Sequence, residues 1–221
     1  MSARLLATVC LLCVSTISVR SETLASSGSG EVDVYLKSTD DNPSWIVSVM
    51  KAELGSLMHS AGYRLEWRSP KKSSSSINTG RLIVVELRGM CTAPVGATDP
   101  ILVPTSLASS SVVNGRVLPF SHVDCPVLSR LLGPYLANET ETAREYVYGR
   151  AIARLLAHEF YHVLGQTTQH TGVGVSKERF TASDLLGDHF DFEDGALSRL
   201  RPSVEPGPDG DEIDDKGLSG K

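Results

Sequence analysis

Basic charge is in short supply in this chain: 21 Lys and Arg stand against 26 Asp and Glu, a formal net charge of −5. Contact with nucleic-acid phosphates needs a basic surface, so this balance argues against nucleic acid as the main partner. Cysteine is scarce too, with four in 221 residues. Neither Cys91 nor Cys125 has the close Cys or His neighbour that a cysteine-based metal site shows. Beyond residue 25 no segment is long and apolar enough to cross a bilayer, which needs roughly 20 residues. No internal repeat is visible, which excludes the solenoid architectures. None of these absences names a substrate.

The N-terminus carries more information. Arg4 precedes an uncharged apolar stretch from Leu5 to Val19, and small residues follow at Ser21, Ala25 and Ser26. This is the layout of a secretory signal peptide over residues 1–25, and fifteen residues are short for a membrane anchor. The expectation is a secreted or periplasmic protein with no membrane span after cleavage. Cys10 and Cys13 leave with the leader. Cys91 and Cys125 then form an even pair in an oxidising compartment, where a disulfide is the natural reading. It closes a loop of about 35 residues, worth up to roughly 4 kcal/mol in the chain-entropy model. What remains suits one domain over 31–200, followed by a Pro-, Gly- and Asp-rich tail over 201–221 that reads as disordered.

Hydrophobic periodicity sets out the elements. Val32, Val34 and Leu36 alternate with Asp33, Tyr35 and Lys37, which reads as a strand. Asn42-Pro43-Ser44 opens a helix carrying Trp45, Ile46, Val49, Met50, Leu54, Leu57 and Met58, with His59 as a cation at its end and Gly62 as its stop. Tyr63 to Trp67 alternates again. Leu82 to Leu87 is dense and apolar, as befits a central strand. Residues 91 to 115 hold several Pro and Ser and read mostly as loop. Asn114-Gly115 then turns the chain into a strand over Arg116 to Val123, and a short helix to Leu132 follows. Thr140 caps the longest helix, to Leu164, with Gly165 placed to end it. Thr181 and Asp184 have the form of a capping box. The fold class is mixed α/β, of the α+β kind.

The chemistry sits at the end of the long helix, in the run AHEFYHVLGQTTQH from Ala157 to His170. Residues four apart project from one helix face, so His158 and His162 can reach one ion. Zn²⁺ bound there lowers the pKa of a water to about 7, and Glu159, beside the first ligand, is placed to act as general base. A usual zinc site needs a third protein ligand. His170 is the nearest candidate; Glu178, Asp184 and His189 are rivals. Of these, Asp184 is better explained as a cap and His189 as a surface residue. His122, on the strand before Cys125, reads as a structural histidine rather than a group supporting the site.

This segment resembles the zincin metallopeptidases, and within them the metzincins, whose extended motif is HExxHxxGxxH followed by a turn containing Met. His158, Glu159, His162 and Gly165 match that motif position by position. Thr168 stands where the third His belongs, His170 comes two residues later, and no Met follows Met90. The chain therefore looks like a divergent member with a displaced third ligand and no Met-turn. The resemblance implies a zincin-like mixed sheet with a long active-site helix and a small C-terminal helical part, a zinc metalloendopeptidase activity, and a peptide or protein substrate bound along an edge strand, for which Arg116 to Val123 is a candidate. It also implies a downstream oxyanion donor. No Tyr follows Tyr161, which leaves His189 for that role. The alternatives are a zinc-binding module without catalysis on the same fold, and a metal-free exported interaction domain.

Overall fold

The computed structural model describes residues 30–38, 41–68, 80–95 and 106–201. The expected leader, the polar loop around 71–78 and the tail beyond residue 201 lie outside the described residues. Five strands and five helices follow one another: β1 (Gly30–Lys37), α1 (Ser44–Ser60), β2 (Tyr63–Arg68), β3 (Leu82–Arg88), β4 (Ala108–Val113), β5 (Arg116–Asp124), α2 (Cys125–Leu136), α3 (Glu141–Gly165), α4 (Ala182–Leu186) and α5 (Asp194–Leu200). They form a mixed α/β fold. The sheet order is β2-β1-β3-β5-β4, with β4 antiparallel to β5 and every other pair parallel. Among the described residues, no helix is long and apolar enough to cross a membrane.

The apolar run at β3 is central as its composition suggests, with Ile83, Val85 and Leu87 buried. Val32 and Val34 of β1 and Val117 and Val123 of β5 join the same core. Helices α1 and α3 pack against each other. At Gly149 the contact is so close that an added Cβ would lie 2.9 Å from Val49 Cβ and 3.0 Å from the Ile46 carbonyl oxygen. Glycine is required there by proximity rather than by backbone conformation. Thr140 caps α3 by accepting from Ala143 N–H, and the Thr181–Asp184 capping box opens α4 as its sequence form predicts.

Several expectations need correction. The stretch read as loop contains β4, an edge strand that begins Ala108-Ser109-Ser110-Ser111. Three serines give no apolar alternation, and an edge strand needs little burial to persist when its partner β5 supplies the ladder. The sheet edge on this side is β4, whereas Arg116 to Val123 is interior, with β3 on one side and β4 on the other. Gly165 does not terminate α3 but closes its last turn. Gln166 takes the left-handed conformation at φ 45°, and its amide donates to the Val163 and Val117 carbonyls at 2.7 and 3.1 Å. Those two bonds offset the cost of a non-glycine residue in that region. Helix α2 also runs on to Leu136, with Pro134 inside it, while α4 and α5 make up the small C-terminal helical part.

Cys91 and Cys125 are bonded, with Cα atoms 4.9 Å apart, and both are fully buried. The bridge ties the end of β3 to the start of α2. Replacing both cysteines by alanine should lower stability by about 2–4 kcal/mol. For a domain this size that is a fall in melting temperature of roughly 10 °C. A melting temperature unchanged to within about 2 °C by calorimetry would show the bridge to be dispensable.

Candidate metal centre

Helix α3 carries the site on its last turns. Every residue from Ala151 to Val163 is buried, because α1, the sheet and the C-terminal helices surround this stretch. His158, Glu159 and His162 are thus held in the interior, with 7%, 3% and 8% of their surface exposed. One turn earlier, Arg154 is buried. It donates to the Leu185 and Gly187 carbonyls at 2.9 and 2.6 Å and meets Glu53 at 3.3 Å. A buried guanidinium is costly unless paired in this way. The arrangement fastens α4 to the helix that bears the histidines.

Hydrogen bonding fixes which nitrogen of each ring is free. His158 Nδ1 lies 2.7 Å from the Val175 carbonyl oxygen, and His162 Nδ1 lies 2.7 Å from the Thr167 carbonyl oxygen. A carbonyl only accepts, so each Nδ1 carries the proton and donates. In a neutral imidazole the Nε2 atom then has a bare lone pair. The two Nε2 atoms stand 2.9 Å apart. With no hydrogen between them this is a meeting of two lone pairs, an arrangement that a cation relieves. Burial lowers the pKa of both rings, that of His158 to about 3 with a further contribution from His162. Both are therefore neutral at neutral pH, the state a metal ligand needs.

His170 joins them. The chain reverses after Gln166, with Thr167 N–H donating to the His162 carbonyl. The His170 ring comes to 5.2 Å from that of His158 and 4.8 Å from that of His162, centroid to centroid. Ligand atoms of the three histidines all lie within 4.8 Å of one another, so the group could hold a metal ion. An ion about 2.1 Å from each nitrogen in tetrahedral geometry spaces the nitrogens about 3.4 Å apart. The trio is close enough to adopt that spacing through small side-chain rotations. Two rings are buried and His170 is exposed, which leaves one side of the cluster open.

Glu159 lies beside this cluster. Its Oε2 accepts from Ser110 Oγ of β4 at 2.7 Å, and Ser110 Oγ is 2.9 Å from Ser121 Oγ of β5. Burial raises the Glu159 pKa to about 7, against the lowering effect of the Ser110 bond. The carboxylate and all three histidines line a cavity of about 380 Å³ whose other walls include Ala108, Ser109, Thr168 and Glu178. A second cavity of about 260 Å³ shares His158 and Glu159 and is walled by Leu107, Leu155 and Phe180.

The rival ligands lie elsewhere or at the margin. Glu178 borders both cavities but is not among the clustered ligands. Asp184 accepts from Thr181 N–H at 2.7 Å and pairs with Lys177 Nζ at 2.8 Å. His189 lines a different cavity, with Phe190, Asp191 and Glu193, and so does not reach the cleft as an oxyanion donor. His122 is half-buried against Ser109 Oγ at 3.3 Å, and burial lowers its pKa. Sequence reasoning missed Ser110 and the carbonyls of Thr167 and Val175. A carbonyl has no residue-type signature, and Ser110 is one of three adjacent serines with nothing to distinguish it. No protein-family model matches the chain, and no curated protein matches it.

Proposed function

We propose that this protein is a zinc-dependent hydrolase of peptide bonds, a divergent metzincin-like zincin. The observation that carries the reading is the convergence of two unprotonated Nε2 atoms and a third imidazole beside a buried carboxylate in an open cleft. Zinc is the ion that best suits three imidazoles and an open position, and when bound it supplies Lewis acidity and brings the pKa of a water to about 7. His158, His162 and His170 hold it. The Val175 and Thr167 carbonyls keep two of those rings in the correct tautomer and orientation. Glu159 takes the proton of the attacking water and passes it to the leaving amine, while Ser110 holds its carboxylate at Oε2. Among the described residues strand β4 ends the sheet, so its outer edge can take an extended peptide by strand addition. The buried disulfide supports an oxidising, exported setting.

One observation favours a zinc-binding module without catalysis: His189, offered for the oxyanion role, belongs to another cavity. A single experiment separates the two readings. The zinc-loaded protein is incubated with a diverse peptide library, with and without chelator, and products are read by mass spectrometry. The proposal expects internal cleavages that chelator abolishes and added zinc restores. Stoichiometric zinc with an uncut library assigns the non-catalytic module instead.

A further inference from the structure

The loop that brings His170 to the helix is closed on itself. Thr171 N–H donates to the Ser176 carbonyl at 2.9 Å, and Thr171 bridges Lys177. Its tip is Gly174 at φ 63°, where an added Cβ would lie 2.5 Å from the Asp191 carbonyl oxygen. Val175 N–H donates to that same carbonyl at 3.0 Å, and Val175 presents its own carbonyl to His158 Nδ1. This short turn therefore performs two tasks. It follows directly from His170, and it supplies the hydrogen-bond acceptor that orients His158.

One side chain holds the turn from outside. Glu193 Oε1 accepts from Thr171 Oγ1 at 2.5 Å and from Ser176 Oγ, and those two hydroxyls are themselves 2.6 Å apart. Ser176 is fully buried. Glu193 stands at the N-cap of α5, yet its carboxylate makes no cap hydrogen bond to that helix. Its Oε2 is buried with no hydrogen-bond partner among the described residues. A carboxylate that neglects its own helix and leaves one oxygen unpaired is placed for the loop.

We propose that Glu193 is a positioning residue for metal binding, bracing through Thr171 and Ser176 the turn that carries His170 and that orients His158 through the Val175 carbonyl. The inference rests on the reading of the three histidines as ligands. Loss of a group bonded directly to a ligand weakens metal affinity by about 10–100-fold, and Glu193, one partner further out, belongs at the lower end of that range.

The test measures zinc affinity by competition with a chromophoric chelator, and the visible spectrum of the Co²⁺-substituted protein as a report on ligand geometry. Glu193→Ala should raise the zinc Kd by about 10-fold, the lower end of the effect of losing a direct partner, and alter the Co²⁺ bands. Glu193→Gln keeps an acceptor oxygen and should recover most of the affinity. Should the Ala variant fail to fold, Thr171→Val removes one of the two hydroxyls that reach Glu193 and carries the same expectation in smaller measure. A purely structural role would lower the melting temperature of Glu193→Ala and leave Kd and spectrum at wild-type values, and that result overturns the proposal. Equal weakening by Gln and Ala overturns it as well. Failure of the underlying reading looks different, since the wild-type chain itself would then take up no zinc.

Discussion

Glu159→Gln should abolish peptide hydrolysis, by about 10³-fold, without displacing zinc. General acid–base groups contribute about 10²–10⁴-fold, and among the described residues the other carboxylate lining the cleft, Glu178, is not among the clustered groups beside the histidines. The amide has the shape of the carboxylate and still accepts from Ser110 Oγ, so the bond that fixes the side chain survives. The imidazoles are untouched, and metal content stays at one ion per chain. Turnover is followed with a peptide identified from the library, alongside elemental analysis of the same sample. A variant retaining more than about a tenth of wild-type activity would show that the proton is handled elsewhere.

His158→Ala is the complementary case, since it should remove the metal and the activity together. A zinc site with four ligands is worth about 10–16 kcal/mol. One ligand is then about 3 kcal/mol, or at least about 100-fold in affinity. The loss is larger than for an exposed ligand because His158 is both buried and oriented by Val175. The fold should persist, because α3 is anchored by its apolar surroundings and by Arg154 rather than by this ring. Chelator competition measures the affinity, and circular dichroism confirms that the helix content is retained. Wild-type zinc affinity in this variant would remove His158 from the ligand set.

Much of this architecture is legible in the chain because burial writes itself into periodicity. The alternation at Val32 and Val34, the dense run at Ile83 to Leu87 and the capped helix from Thr140 each follow from a face that must meet the core. The spacing of His158, Glu159 and His162 is equally legible, because helix geometry alone turns four residues into one face. What escaped were features defined by a pairing partner and not by a periodicity of their own. Strand β4 pairs with β5 across the Asn114-Gly115 hairpin, and although that turn is visible, the three serines before it give no apolar alternation to mark a strand. The end of α3 depends on Gln166 finding the Val117 carbonyl, 49 residues away in sequence, so the glycine that marks the expected stop is not the stop. His170 could be nominated from the sequence, but its approach to the other rings depends on the turn braced by Glu193, a residue with no signature of that task.

The unequal burial of the three imidazoles has a consequence for ion choice. His158 and His162 are set in a helix with little room to shift, each pinned at Nδ1 by a backbone oxygen, whereas His170 rides on an exposed bend. For an ion held as proposed, differences in ionic radius or preferred angle would fall mainly on the exposed His170. Discrimination among divalent metals would then depend on how firmly the bend carrying His170 is held, and less on the two rings that define the motif.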